Sequence, residues 1–235
     1  MKNVSDEIRS AVLEKGASLV GFADLSELPE DMRHSMRFAV SMAVALDPMV
    51  IAAIHDGPTK EYHAEYRQAN ALLWELAKFT AGMIEDWGYR AIPKRPTHAG
   101  IDQGTQSTVL PHKTVATHAG LGWIGKCALL ITEEYGPAVR LTTVLTDAEL
   151  NAAEPIAESR CGECRLCVDS CPGKAPSGRN WNSRLARHEF YDAFACARAA
   201  RERATAKIGI DDTICGICIS VCPWTAKYVK KAVKS

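Results

Sequence analysis

The chain has 235 residues, and 28 Lys plus Arg balance 28 Asp plus Glu, so its formal net charge is zero. That balance calls for neither nucleic acid nor an anionic membrane surface. A hydrophobic content of 47% supports a folded core, while the longest apolar stretch, Phe38–Leu46, is interrupted by Ser41 and is too short to span a bilayer.

In chain order, the opening MKNVSDEIRS is polar and acidic, unlike a secretory or twin-arginine signal, so a reducing cytoplasm is the expected compartment. Ser5 is the expected cap of a first helix that carries Ile8, Val12 and Leu13 on one face and ends at Gly16. Leu19–Ala23 predicts a short strand, and Phe38–Leu46 a central strand stopped by Asp47-Pro48. Met49–Ile54 is a second apolar run, followed by the loop His55-Asp56-Gly57-Pro58.

A long helix is predicted from Lys60 to Trp87, because Tyr62, Tyr66, Ala69, Leu72, Leu73, Leu76, Phe79, Met83 and Ile84 recur at helical steps. Gly88 ends it, and Tyr89–Ile92 predicts another strand. Pro93 to Pro111 is irregular with a polar centre, which in a compact domain is often a functional loop. His112–His118 predicts a short helix.

Gly120-Leu121-Gly122-Trp123-Ile124-Gly125-Lys126 comes next. Its closely spaced glycines permit close backbone approach to a ligand or unusual dihedrals. It is not a phosphate loop, since the GxxxxGK[ST] order is absent and the segment follows a helix rather than a strand. Cys127–Thr132 and Ala138–Leu145 predict a hairpin turning at Glu134-Tyr135-Gly136-Pro137, with Cys127 as a small buried hydrophobe.

Of the nine cysteines, all but Cys127 lie between Cys161 and Cys222. The first run is Cys161-x2-Cys164-x2-Cys167-x3-Cys171-Pro172, and the second is Cys215-x2-Cys218-x3-Cys222-Pro223. Closely spaced thiolates followed by a Cys-Pro wrap an iron–sulfur cubane, and in two-cluster ferredoxins the last cysteine of each run serves the other cluster. Applied here, that rule gives one cluster to Cys161, Cys164, Cys167 and Cys222. The other takes Cys171, Cys215, Cys218 and one more ligand. A regular run would place that ligand at position 212, which is Asp212, so Cys196 is assigned as the remaining one. Structural zinc favours separated cysteine pairs, and a disulfide framework needs an oxidising compartment. Neither suits this pattern as well.

The cysteine distribution places a boundary in Asn151–Glu158, giving an α/β domain over 1–153 and a ferredoxin-like domain over 154–235. The second is too small for much core and would be held together by its clusters. A helix of about Tyr191–Thr205 carries Cys196, short helices follow Cys164 and Cys215, and the tail bears Lys227, Lys230, Lys231 and Lys234.

The segment His118–Lys126, with the cysteine order and the Cys222-Pro223-Trp224 ending, resembles the A-G-L-G-W-x-G-K loop and cluster layout of epoxyqueuosine reductases. That family and the related reductive dehalogenases bind cobalamin. The resemblance therefore implies an N-terminal α/β domain of the nitroreductase-like, cobalamin-binding type, followed by a bacterial ferredoxin-like domain with two 4Fe-4S clusters. It implies electrons passing through two clusters to a corrinoid that touches Gly120, Leu121, Gly122, Trp123, Ile124, Gly125 and Lys126. The family's Asp-Thr-x-Pro stretch, whose Asp is its expected proton donor, reads Gln106-Ser107-Thr108-Val109 here. Gln cannot give a proton in that role, so Asp102, His112 and Lys113 are the catalytic candidates. The chain also stops at Ser235, before the helical-repeat extension with which the family helps bind transfer RNA, so transfer RNA is not an expected partner.

The leading expectation is a corrinoid-dependent iron–sulfur oxidoreductase that reduces an epoxide or removes a leaving group from a small molecule. An electron-transfer protein serving a partner's corrinoid is the alternative, and a flavin-dependent reductase the third. Expected partners are a low-potential ferredoxin or flavodoxin and either a small substrate or a corrinoid protein. A homodimer is compatible with this sequence, and no membrane partner is expected.

Overall fold

The computed structural model describes residues 4–96, 101–102 and 104–233, so Lys234 and part of the 93–111 loop lie outside the described residues. In chain order its elements are α1 (Val4–Glu14), β1 (Leu19–Asp24), β2 (Phe38–Ala45), α2 (Pro48–Ala52), α3 (Lys60–Asp86), β3 (Ala91–Lys94), α4 (His112–His118), β4 (Trp123–Ile124), β5 (Leu130–Ile131), β6 (Val139–Thr146), α5 (Leu166–Asp169), α6 (Arg187–Phe190), α7 (Ala193–Ile208), α8 (Ile217–Ser220) and α9 (Pro223–Ala232). Among the described residues, no helix is long and apolar enough to cross a membrane.

The chain divides into two units, neither continuous in sequence. The first comprises 1–45, 68–121 and 140–156, and the second 46–67, 122–139 and 157–235. The cysteine distribution had suggested a single cut near 151–158. The last crossing, after Ile156, falls in that stretch, but two earlier segments also belong with the cysteines. Ligand positions in a sequence mark where a metal is held, not which apolar segments pack around it.

The first unit is built on a four-stranded sheet in the order β1-β2-β6-β3. β1 and β2 run antiparallel from Leu19 opposite Ala43 to Asp24 opposite Phe38, and β3 runs antiparallel to β6 from Ala91 opposite Thr146. Every residue of β2 except its last is buried, which explains why this strand reads as a continuous apolar run rather than an alternating one. Alternation still sorts its side chains by face. Ala39 joins Ala23, Leu145, Val115 of α4 and Ala119 just after it in one cluster. Met42 points the other way, and its sulfur receives the Thr80 hydroxyl of α3 at 3.4 Å. Of the stripe expected on α3, Tyr62, Ala69, Leu73, Leu76 and Ile84 are buried, with Ala77, Thr80 and Ala81 beside them, while Tyr66, Leu72, Phe79 and Met83 are only half-buried.

Two local expectations are corrected. Ser5 does not cap α1 but lies within it, and its hydroxyl accepts the Asn151 amide at 2.8 Å. Leu13, expected on the buried face with Ile8 and Val12, is exposed. The apolar run after Asp47 opens as helix α2. Asp47 caps it, accepting the amides of Met49 and Val50 at 2.7 and 3.2 Å, and Pro48 occupies the first turn where its missing N–H costs nothing.

In the second unit, β4 pairs with β5, Trp123 opposite Ile131. The expected hairpin between 127–132 and 138–145 therefore does not form, because β5 is taken by the residues before the turn and β6 joins the four-stranded sheet. Only the isolated Thr132–Gly136 bridge closes that turn. A second small cluster, Ile124, Ala128 and Phe190 with Trp181, Leu185 and Tyr191, packs around the β4–β5 pair's connection.

Candidate metal centre

Each cysteine run is shaped by a short turn followed by one turn of helix. The Cys164 amide donates to the Cys161 carbonyl at 3.1 Å, and α5 then presents Cys167. Gly216, at φ +86°, turns the chain from Cys215 into α8, which carries Cys218. A Cβ on Gly216 would lie 2.5 Å from Ile54 Cδ1 and 3.0 Å from Tyr62 Cε1, so glycine is required both for its dihedral and for space. Cys222 caps α9 with Pro223 at its first position. Cys196 sits in the first turn of α7, which is capped by Asp192 accepting the Ala195 amide at 2.9 Å.

All nine cysteines are outside disulfides. Cys161, Cys164, Cys167, Cys218 and Cys222 line one cavity together with Lys126, Cys127, Ile131, Pro223 and Trp224. The set drawn by crossing the ligands, Cys161, Cys164, Cys167 and Cys222, thus surrounds a single space although Cys222 is remote in sequence. Cys215 lies close enough to Cys171 for their charges to interact. The Ala175 amide donates to Cys171 Sγ at 3.4 Å, the kind of N–H···S bond that stabilises a thiolate. Cys196 is within reach of the Tyr191 hydroxyl, whose pKa is driven up by burial and by Cys196.

The electrostatics are those of thiols crowded together. The contact with Cys127, then burial, push the Cys167 thiol far above its ordinary range, while Lys126 pulls it back. Burial lifts the Cys222 thiol to about 11, helped by Cys161 and Cys167, and burial also raises Cys215. Metal binding reverses this, because coordinated cysteines are thiolates and their protons leave. Among the described residues, no three His, Cys, Asp or Glu side chains stand close enough to hold one ion. The cysteines ring a space instead, which is the arrangement a polynuclear cluster needs. The donor set and its spacing therefore fit iron–sulfur clusters.

Cys127 is nearly fully buried, as expected of a small hydrophobe. Its neighbours carry no local sequence signal, however. It touches Cys167, which lowers its pKa, and Cys218, which with burial raises it well above the ordinary value. It thus stands between one ligand of each run. Tyr191 was also missed, since nothing in the spacing marks it.

The glycine segment is used for packing. A Cβ on Gly122 would sit 2.1 Å from the Ile131 carbonyl oxygen, so this glycine permits the close approach of β4 and β5. Trp123, Ile124 and Lys126 are buried. Trp123 stacks edge-on against Trp224 at 5.1 Å. Within the segment, Gly120 and Leu121 alone keep partial exposure. A corrinoid would find few side chains to contact on Gly122–Lys126.

Two of the three catalytic candidates make local hydrogen bonds. Asp102 Oδ1 accepts the amide and the hydroxyl of Thr105, both at 2.7 Å. Those bonds hold its carboxyl below the usual range, which makes it a poor proton donor. His112 Nε2 donates to the Arg95 carbonyl at 2.8 Å, and Nδ1 lies 2.9 Å from the Thr143 hydroxyl. Lys113 is half-buried in the first turn of α4. Gln106, at the family's Asp position, has φ +52°.

Comparison with known proteins agrees with this geometry. The family described as "4Fe-4S double cluster binding domain" matches residues 160–225. Epoxyqueuosine reductase of Synechococcus sp. (strain RCC307) is 32% identical, over 98% of this chain and 78% of its own length. That of Synechococcus sp. (strain CC9605) is 29% identical, over 96% of this chain and 70% of its own. Another, from Lactococcus garvieae (strain Lg2), is 30% identical over 70% of this chain but only 42% of its own. Among solved structures, a catabolic reductive dehalogenase in complex with 3-bromo-4-hydroxybenzoic acid superposes with TM-score 0.74 at 18% identity, covering 96% of this chain and 33% of that one. A further reductive dehalogenase structure, associated with a mechanism for B12-dependent dehalogenation, superposes with TM-score 0.72, also at 18% identity and covering 96% of this chain and 33% of that one. At such identity the likeness shows the fold alone.

Proposed function

The chain belongs to the epoxyqueuosine reductase family, and from that premise we propose that it is an iron–sulfur oxidoreductase whose two clusters pass electrons to a cobalamin that reduces a small substrate. The observation that carries this reading is the cavity ringed by Cys161, Cys164, Cys167 and Cys222, with Cys218 of the second set on the same wall. Bound clusters supply one-electron carriers whose potentials extend to about −700 mV, low enough to serve a strongly reducing corrinoid. The chain's own residues hold them: Cys161, Cys164, Cys167 and Cys222 for one, Cys171, Cys196, Cys215 and Cys218 for the other. Support for the corrinoid comes from the family rather than from contacts of the glycine segment. The reduction consumes electrons and a proton. Asp102, held ionised, is the weakest of the three candidates to give that proton, which leaves His112 and Lys113.

The electron donor in this reading is a low-potential ferredoxin or flavodoxin. Lys227, Lys230 and Lys231 lie on α9, directly after the ligand Cys222, and would steer an acidic protein to that end of the cluster.

One observation favours a second reading, an electron-transfer protein that reduces a partner's corrinoid. The burial of Gly122–Lys126 leaves that segment little surface for a cofactor of its own. The two readings separate in one experiment. Protein purified anaerobically and reconstituted with iron and sulfide is incubated with hydroxocobalamin, passed through a desalting column, and assayed for iron, cobalt and flavin. Cobalt retained near one per chain, with a cobalamin absorption band, supports the enzyme. Iron retained without cobalt overturns it in favour of electron transfer, and bound flavin would overturn both.

A further inference from the structure

Lys126 is a buried cation facing the cysteines. It is 4% exposed and lines the same cavity as Cys161, Cys164, Cys167 and Cys222. Its ammonium donates to the carbonyl oxygens of Gly162 at 2.8 Å and Cys164 at 3.0 Å. Both acceptors belong to the loop that carries the first ligands, so the charge is fixed to that loop and not merely near it. The Gly162 carbonyl also receives Asn180 Nδ2 at 3.2 Å, which further orders it.

A lysine is costly to bury unless its charge is compensated. The partners found here are neutral carbonyls. The compensating negative charge is therefore that of the thiolates and the cluster they hold. We propose that Lys126 raises the reduction potential of the cluster held by Cys161, Cys164, Cys167 and Cys222 through the field of its fixed charge. This inference rests on the two-cluster reading.

The physical reason is simple. A cubane with four thiolates is anionic in both redox states and gains one further negative charge when it accepts an electron from the donor. A fixed positive charge beside it favours the reduced state. Burial makes the effect large, because neither high dielectric nor salt screens it well. The ammonium is fixed to carbonyls of the loop that carries Cys161 and Cys164, so its effect falls most strongly on the cluster of that loop.

The test is anaerobic redox titration of the reconstituted full chain, followed by electron paramagnetic resonance, for the native protein, Lys126→Met and Lys126→Arg. Iron and sulfide are measured on each sample first. The expected result is that Lys126→Met keeps its iron but shifts one of the two midpoints downward. The ratio of reduced to oxidised cluster at a fixed potential falls about tenfold, equivalent to about 59 mV for a one-electron couple. Lys126→Arg, which keeps the charge, shifts that midpoint by less than half as much. Unchanged midpoints in Lys126→Met with iron retained overturn the proposal, as do two midpoints that move equally. Loss of one cluster's iron in Lys126→Met assigns the residue a role in holding the loop and likewise overturns it. A native protein that takes up no iron and sulfide instead sinks the two-cluster reading, a failure visible before any variant is titrated.

Discussion

In the first unit, β2 buries seven consecutive residues and α3 lays Ala69, Leu73, Leu76 and Ile84 in the core. In the second, α5 buries no residue at all, and Thr225 alone is buried on α9. The first unit is held by apolar area removed from water. Beside the cysteines of α5 and α9 that area is small, although α8 buries Ile217 and Ile219, and coordination bonds would add what packing there does not supply. The stability of the two regions should therefore respond to different insults.

The largest effect should come from Cys164→Ala. Removing one thiolate from a four-thiolate set costs the cluster, so about half the bound iron is lost. Hydrogen exchange should rise around 157–171 and 215–224 while β1, β2 and α3 stay protected. Equal deprotection of both regions would break the comparison.

Next is Gly122→Ala. The added methyl meets the Ile131 carbonyl, a backbone atom that cannot swing aside. The β4–β5 pair must open, at a cost of about 3 kcal/mol, and iron loading should fall with it, read by denaturant melts and iron assay. If stability and iron are untouched while cobalamin binding is lost, the glycine serves a cofactor and not packing.

Leu73→Ala probes the other side. Leu73 is fully buried, and its truncation should cost about 3 kcal/mol in denaturant unfolding. Iron content should not change. A loss of iron here would mean the two regions are not separately held.

The smallest effect concerns Asp24, whose carboxyl is lowered to about 2 by the Arg37 guanidinium at 2.8 Å. A depressed carboxylate contributes stability above its unfolded pKa of about 4, and that contribution is lost as pH falls through about 2. Arg37 is largely exposed, so screening leaves the contribution small. Asp24→Asn should lower the melting temperature slightly at pH 7 and by less at pH 2, where the native carboxyl is half protonated.

These contrasts follow how the molecule could be read from its sequence. The cysteine runs were legible because coordination chemistry fixes ligand spacing locally, and α3 was legible because its apolar period persists through many turns. Asp47-Pro48 was read as a stop. The same two residues start α2, since an Asp cap before Pro serves both purposes. Leu130–Ile131 was assigned to the wrong partner because a two-residue strand carries no period to reveal whom it pairs with. Neither the assignment of 46–67 and 122–139 to the cysteine-bearing unit nor the contact of Cys127 with Cys167 and Cys218 could be seen locally. Both depend on packing between segments far apart in the chain.

The central claim is that the cysteines of 161–222 hold two cubanes. The direct measurement is iron and acid-labile sulfide per chain after anaerobic reconstitution, with zinc assayed on the same sample. The account predicts about eight iron and eight sulfide per chain. Iron near four, or stoichiometric zinc without sulfide, would contradict it.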